Sequence, residues 1–162
     1  MMKVELENIN IGLSDKAREE VTLLLFKLLS DDFVIYVKAR NYHWNVVGKD
    51  FLVLHEFFQK IYEDLNNEID DVAERIRALG KKVPATMKKF LETTDLNETN
   101  DFISDKEMLE NLLNDYEASI KNIRTYISTI SSIGDEGTAN FLTDLMEKKE
   151  KTAWMIRAML EK

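Results

Sequence analysis

The stretch from Asn41 to Arg75, NYHWNVVGKDFLVLHEFFQKIYEDLNNEIDDVAER, decides both the architecture and the chemistry of this chain. It contains the only two histidines, His43 and His55, on either side of a break at Gly48. Asp70 and Glu74 follow, four apart, so both point from one face of a helix. Imidazole and carboxylate together suit a redox-active divalent metal such as iron. If residues 50–79 form one helix, His55 and Asp70 lie roughly 22 Å apart along it, at about 1.5 Å per residue. They cannot then share a metal within one chain. A site using all four residues needs a second copy.

Rotation is compatible with that arrangement. Fifteen residues at about 100° each leave Asp70 only about 60° from His55 around the helix axis. A turn around Gly48 brings His43 and His55 to similar heights on an antiparallel hairpin. A second chain laid antiparallel, with its two-fold axis near Tyr62 to Asn66, brings its own Asp70 and Glu74 opposite His43 and His55. Such a contact is reciprocal and generates two equivalent sites. The Glu-x-x-His pairs of di-iron bundles are missing, because position 40 is Arg40 and position 52 is Leu52. Taken singly, each residue has a bland reading. A histidine near a helix end is ordinarily a surface group, an acidic pair is ordinarily a solvated face, and Trp44 beside His43 is ordinarily core packing.

Outward from this stretch, the composition points to long helices. The 162 residues include one Pro, five Gly and no Cys, which leaves few helix breakers. Thiolate metal sites and disulfides are excluded. One domain is expected over residues 14–162, preceded by a tail at 1–13. The first helix is expected from about Ser14, a plausible N-cap, to Tyr42, with an apolar stripe through Val21, Leu25, Leu28, Ile35 and Ala39. Asp50 is the expected cap of the second, which runs to about Leu79 with Gly80 as its stop. Residues 81–103 form a long connection around Pro84, with a short helix at Met87 to Leu91. Ser104-Asp105-Lys106-Glu107 has the form of a capping box and opens the third long helix, which Gly134 ends. The fourth runs from Glu136 to Leu160. Four amphipathic helices with one long crossover describe an all-α, ferritin-like four-helix bundle.

Asn41-Tyr42-His43-Trp44-Asn45, Leu54-His55-Glu56 and Asp70-Asp71-Val72-Ala73-Glu74-Arg75 together strongly resemble the Dps family of mini-ferritins, the DNA-binding proteins from starved cells. The likeness spans essentially the whole chain, including the crossover and the late Trp154-Met155. It implies a hollow homo-dodecamer with a ferroxidase site at each dimer interface. His43 and His55 would come from one subunit, and Asp70 and Glu74 from its partner. It further implies oxidation of Fe(II), typically by hydrogen peroxide, with ferric mineral stored inside and protection from oxidative stress as the result. Trp44 would stand beside the site and intercept stray oxidising equivalents. Many members carry an Asp four residues after the second His, and here that position is Gln59. A neutral amide helps a hard cation less than a carboxylate, so the second iron is expected to be held more weakly. Asp135, Glu136 and Asp144 are the candidates for the acidic three-fold pores of the family, although Asp135 and Glu136 also suit a helix N-terminus.

DNA binding by this chain is doubtful on its charge. The formal net charge is −8, and a shell of twelve would carry about −96, which opposes sequence-independent attraction to phosphate. Before Ser14 the only basic residue is Lys3, against Glu5 and Glu7. Near the C-terminus Lys148, Lys149, Lys151, Arg157 and Lys162 alternate with Glu147, Glu150 and Glu161, which reads as a solvated helix face. A nucleoid-binding protein with a secondary iron site, or a shell with a degenerate site, are the rival functions. The ligand types alone do not separate iron from zinc or manganese. The chain lacks a basic start followed by an apolar stretch, and Val21 to Phe26 is far too short to span a bilayer, so a cytoplasmic protein without membrane contact is expected.

Overall fold

A computed structural model describes residues 6–99 and 102–161. Lys3, Glu5 and Lys162, weighed above as tail charges, lie outside the described residues. Five helices follow in order: α1 (Asp15–Asn45), α2 (Phe51–Ala78), α3 (Met87–Thr93), α4 (Asp105–Ile133) and α5 (Glu136–Leu160). There is no strand among the described residues, and none of these helices is long and apolar enough to cross a membrane. α1 packs along α2 and α4 along α5, giving two hairpins joined by a crossover that carries α3.

The boundaries show which local signals act. Ser14 caps α1 by accepting from the Ala17 amide at 3.2 Å. The helix continues three residues beyond the expected end at Tyr42, to Asn45; Val46 then leaves it in an extended conformation ahead of the turn at Gly48, whose φ is +116°. His43 therefore sits inside the last turn. Asp50 precedes α2, but its side chain makes no cap hydrogen bond, contrary to expectation. Gly80 follows α2 at φ +83°, and a Cβ there would stand 2.7 Å from the buried Arg18 guanidinium, so glycine is required twice over. The capping box of α4 forms as its sequence predicts, and Gly134 ends that helix in the left-handed region. α3 extends two residues past Leu91 to Thr93 and is pinned to α1 by Phe90 stacked on Phe33 at 4.1 Å. Asp31 secures the same crossover by accepting from the Thr94 hydroxyl at 2.6 Å and the Asp95 amide at 3.1 Å.

The apolar core falls into two clusters stacked along the bundle. One includes Leu25, Leu28, Val72, Ile76, Ile130 and Leu142. The other includes Ile35, Phe58, Ile61, Leu65, Leu112 and Ile156. On every long helix the sequence between the two clusters is polar and buried: Asp31 and Asp32 on α1, Glu68 on α2, Ser119 on α4 and Lys149 on α5. The Lys149 ammonium donates to Asp32 at 2.8 Å and to Glu68 at 2.9 Å, and lies 5.5 Å from the centre of the Tyr116 ring. Lys149 was read above as part of a solvated basic face, and the structure corrects this: it is only 1% exposed. A nearby buried pair, Lys38 with Asp115, ties α1 to α4.

Burial in this layer reshapes its titration. Desolvation pushes the Asp32 carboxyl up from 3.8 to about 6, against the pull of Lys149. For Lys149 burial acts to discharge the ammonium, but Asp32 and Glu68 outweigh it and hold it charged above the ordinary lysine range. Lys149→Met is expected to lower stability by about 3–5 kcal/mol, since it strands two buried carboxylates without their cation. Denaturant unfolding at neutral pH measures this. The Asp32 shift has its own sign. A carboxyl whose pKa is raised on folding stabilises the native state while protonated, and that contribution is lost as pH rises through about 6. Asp31, Glu68, Tyr116 and Lys149 all face Asp32 and are common to wild type and Asp32→Asn. Wild type is therefore expected to lose stability relative to Asp32→Asn between about pH 4 and 7. Parallel stability profiles for the two proteins would contradict that assignment.

Candidate metal centre

His43, in the last turn of α1, and His55, early in α2, meet across the hairpin turn. Their rings stack with centroids 3.8 Å apart and planes 22° from parallel. Each ring is fixed by the other residue's backbone. His43 Nδ1 donates to the His55 carbonyl at 2.8 Å, and His55 Nδ1 donates to the His43 carbonyl at 2.8 Å. A carbonyl oxygen only accepts, so the proton of each neutral ring belongs on Nδ1. That leaves the Nε2 lone pair of each ring as its metal-binding position. Orientation of a ligating imidazole through its other nitrogen is the usual device of a metal-binding histidine. The helical backbone supplies it here: the His43 carbonyl is among the last four of α1 and has no partner within that helix, whereas the His55 carbonyl, near the start of α2, accepts the ring N–H beside its helical bond.

Further side chains hold the pair in place. The Tyr62 ring stands edge-on to His43 at 5.3 Å, and the Phe51 ring lies 5.1 Å from that of His55. The Arg40 guanidinium lies over the Tyr62 ring, 4.1 Å from its centre, and donates from Nε to the Tyr36 hydroxyl at 2.9 Å. Sequence reasoning missed the support from Tyr62 and Arg40. The available signal was spacing: Tyr62 lies two turns after His55, and Arg40 one turn before His43.

Asp70 and Glu74 are exposed on α2, as a shared face predicts. α2 is unbroken between His55 and Asp70, so their separation of roughly 22 Å along the axis holds. Among the described residues no three His, Cys, Asp or Glu side chains come together in one chain as a metal cage. The histidines are thus brought together by the fold, and the carboxylates are not brought to them. Trp44 is 68% exposed, so core packing is not its role in the single chain. Val47, Phe51 and Leu52, between the two histidines in sequence, are also exposed, and the Phe51 ring lies against His55. Gln59 donates to Glu63 at 2.7 Å along the same helix.

The candidate pore residues separate. Asp135 is 4% exposed and caps α5, accepting from the Thr138 amide at 3.0 Å and from Arg75 at 3.1 Å. Its charge is spent on the helix N-terminus and on Arg75, so it is not a free surface carboxylate in the chain. Glu136 and Asp144 are exposed.

Similarity to known proteins bears on the reading. A ferritin-like domain family matches residues 23–162. An uncharacterised low temperature-induced protein of Nostoc is 42% identical over 94% of this chain and 87% of its own length. A protein of Bacillus anthracis named DNA protection during starvation protein 2 is 35% identical over 88% of this chain and 97% of its own. The crystal structure of a Dps protein from Vibrio cholerae, described as a member of a superfamily of ferritin-like diiron-carboxylate proteins, superposes with a TM-score of 0.91. It is 31% identical and covers 97% of this chain and 98% of its own. The reciprocal carbonyl bonds predict that each imidazole, in its neutral form in the metal-free protein, carries its proton on Nδ1. Nitrogen-15 shifts of the two imidazoles report this directly, and an Nε2–H assignment for either ring would remove the proposed ligand geometry.

Proposed function

We propose, since the chain belongs to the Dps family of ferritin-like proteins, that it oxidises Fe(II) at sites shared between two subunits and stores the ferric product within a dodecameric shell. Iron storage and DNA protection are the general roles of that family. The observation that carries the finer reading is the split ligand set. Two imidazoles are held with Nε2 free, while two exposed carboxylates stand on the same rigid helix too far away to join them. Only a second copy supplies the missing half, and the exposed apolar surface around Trp44 and Leu52 suits burial against it.

Each residue then has a role. His43 and His55 bind Fe(II) through Nε2, and the partner subunit's Asp70 and Glu74 complete the set. The carboxylates offset the charge that grows as Fe(II) becomes Fe(III), and the open positions admit water or peroxide. Two ferrous ions supply one electron each. Hydrogen peroxide takes both electrons and two protons, its O–O bond breaks, and two waters form. Consumption of both reagents together limits hydroxyl-radical formation. Trp44, exposed beside the pair, is placed to be oxidised in place of other targets. Gln59 supplies no negative charge, which makes the second iron the weaker one. Glu136 and Asp144 remain as pore carboxylates on this reading. Protection of DNA would come from removal of iron and peroxide rather than from tight binding. With Lys149 buried, the C-terminal helix presents one basic residue fewer to phosphate.

Stopped-flow oxidation after anaerobic Fe(II) loading tests the proposal. His43→Ala and Asp70→Ala are each expected to slow oxidation by peroxide while leaving the assembly intact on size exclusion. Unfolding the two variants together and refolding them as a mixture distinguishes shared sites from sites within one chain. If sites are shared, a mixed dimer regains one of its two sites, so random pairing restores about a quarter of them. No recovery from the mixture, or wild-type rates in both variants, would exclude the shared site.

A further inference from the structure

The buried layer at mid-bundle contains a cation already, and that cation is the protein's own. We propose that Asp32 and Glu68 form an intrasubunit site for a divalent metal ion which the Lys149 ammonium closes, keeping iron out of the bundle interior. Two carboxylates from different helices converge on one point, at 2.8 and 2.9 Å from the nitrogen. Hard divalent cations sit about 2.0–2.6 Å from carboxylate oxygens, so an inward movement of about 0.2–0.9 Å would bring both oxygens to metal distance. The layer also has unused capacity for a cation. The second carboxylate oxygen of Asp32 is buried without a partner, as is the Ser119 hydroxyl, which lies in the α4 segment between the two apolar clusters. One ammonium leaves two ionised carboxylates with a net charge of −1, whereas a divalent ion would neutralise them.

The ion would also have a way in. A groove of about 300 Å³ between α2 and α5 reaches Glu68 from the surface, lined on the α2 side by Asp71, Asp64 and Lys60, which pairs with Asp64 at 2.6 Å, and on the α5 side by Lys148 and Lys151. Glu68 thus forms the floor of the groove and one wall of the buried layer. Ferritin-like di-iron bundles bind metal through carboxylates projected inward from their helices. In this chain α1 and α2 still contribute theirs, and α5 contributes the charge that excludes the metal. The inference is independent of the shared surface site, because it concerns residues no part of that site uses.

Manganese(II) alone is the probe, since carboxylate and water ligands suit it. Loss of the free-ion paramagnetic resonance signal counts the bound metal in wild type, in Lys149→Met, and in Lys149→Met combined with Asp32→Asn. Lys149→Met is expected to bind about one more manganese per chain than wild type, and the double variant to lose it. Asp32→Asn alone should leave the wild-type count unchanged. The difference between the single and double variants cancels any metal held at the subunit interface, so failure of the interface reading leaves this result intact. Equal counts in Lys149→Met and the double variant would overturn the proposal, as would a wild-type count that falls with Asp32→Asn. If Lys149→Met does not fold without metal, manganese is expected to restore its helical circular dichroism but not that of the double variant. Failure of manganese to restore it would be equally decisive against a closed site.

Discussion

A charged lysine in the middle of a four-helix bundle constrains every element around it. The Lys149 ammonium is tolerated only where carboxylates meet it, and these come from α1 and α2. Sliding α5 by one turn against its neighbours would put that charge into one of the apolar clusters and leave Asp32 and Glu68 unpaired. The cost of such a slip is several kcal/mol, far above the differences that separate alternative packings of similar leucine and isoleucine faces. The layer therefore sets the register of both hairpins, and the apolar halves on either side supply the burial that holds them there. Neighbouring Asp31 extends this control to the crossover through its bonds to Thr94 and Asp95.

The same layer explains why the histidines lie where they do. With the interior filled by an ion pair, residues able to bind metal are left at the end of the first hairpin and along the outer face of α2. The hairpin end is well suited to imidazole, because the last carbonyls of one helix and the first turns of the next lie side by side. His43 and His55 exploit this by orienting each other through backbone oxygens, a fixation that needs no additional polar residue. The carboxylates are separated from them by the stiffness of α2 itself. An unbroken helix neither shortens nor folds back, so distance along the sequence becomes distance in space.

Much of this was legible in the sequence, and the parts that were not share a cause. Signals confined to a few residues read correctly. The capping box at Ser104, the stop at Gly134 and the Ser14 cap depend only on local backbone chemistry. The separation of His55 from Asp70 was legible for the same reason. Lys149 was not. Its neighbours Lys148, Glu147 and Glu150 make a charged run that looks solvated, and the residues that neutralise it lie 81 and 117 positions away. Nothing local distinguishes a buried ion pair from an exposed one. Asp135 was ambiguous between pore and cap until Arg75, sixty positions distant, was found on it. Asp50 shows the converse, a residue of the right type before a helix whose side chain does not take up the cap.

On the proposed reading, dividing the ligands between two chains has a consequence for when redox chemistry begins. A ferroxidase site complete within one subunit would oxidise iron wherever a folded chain existed, and would release ferric ion and any radical into bulk solvent. A site whose halves are about 22 Å apart on one helix is inactive in the lone chain. On the proposed reading it forms only when two chains pair, and pairing is also the first step toward a closed shell. Catalysis is then tied to the existence of a compartment for its product. On the same reading Trp44, exposed in the single subunit, would be covered at that moment, beside the metal and against the second chain. Helix stiffness and an ion pair in the core, neither of which touches iron, are on this argument what tie oxidation to assembly.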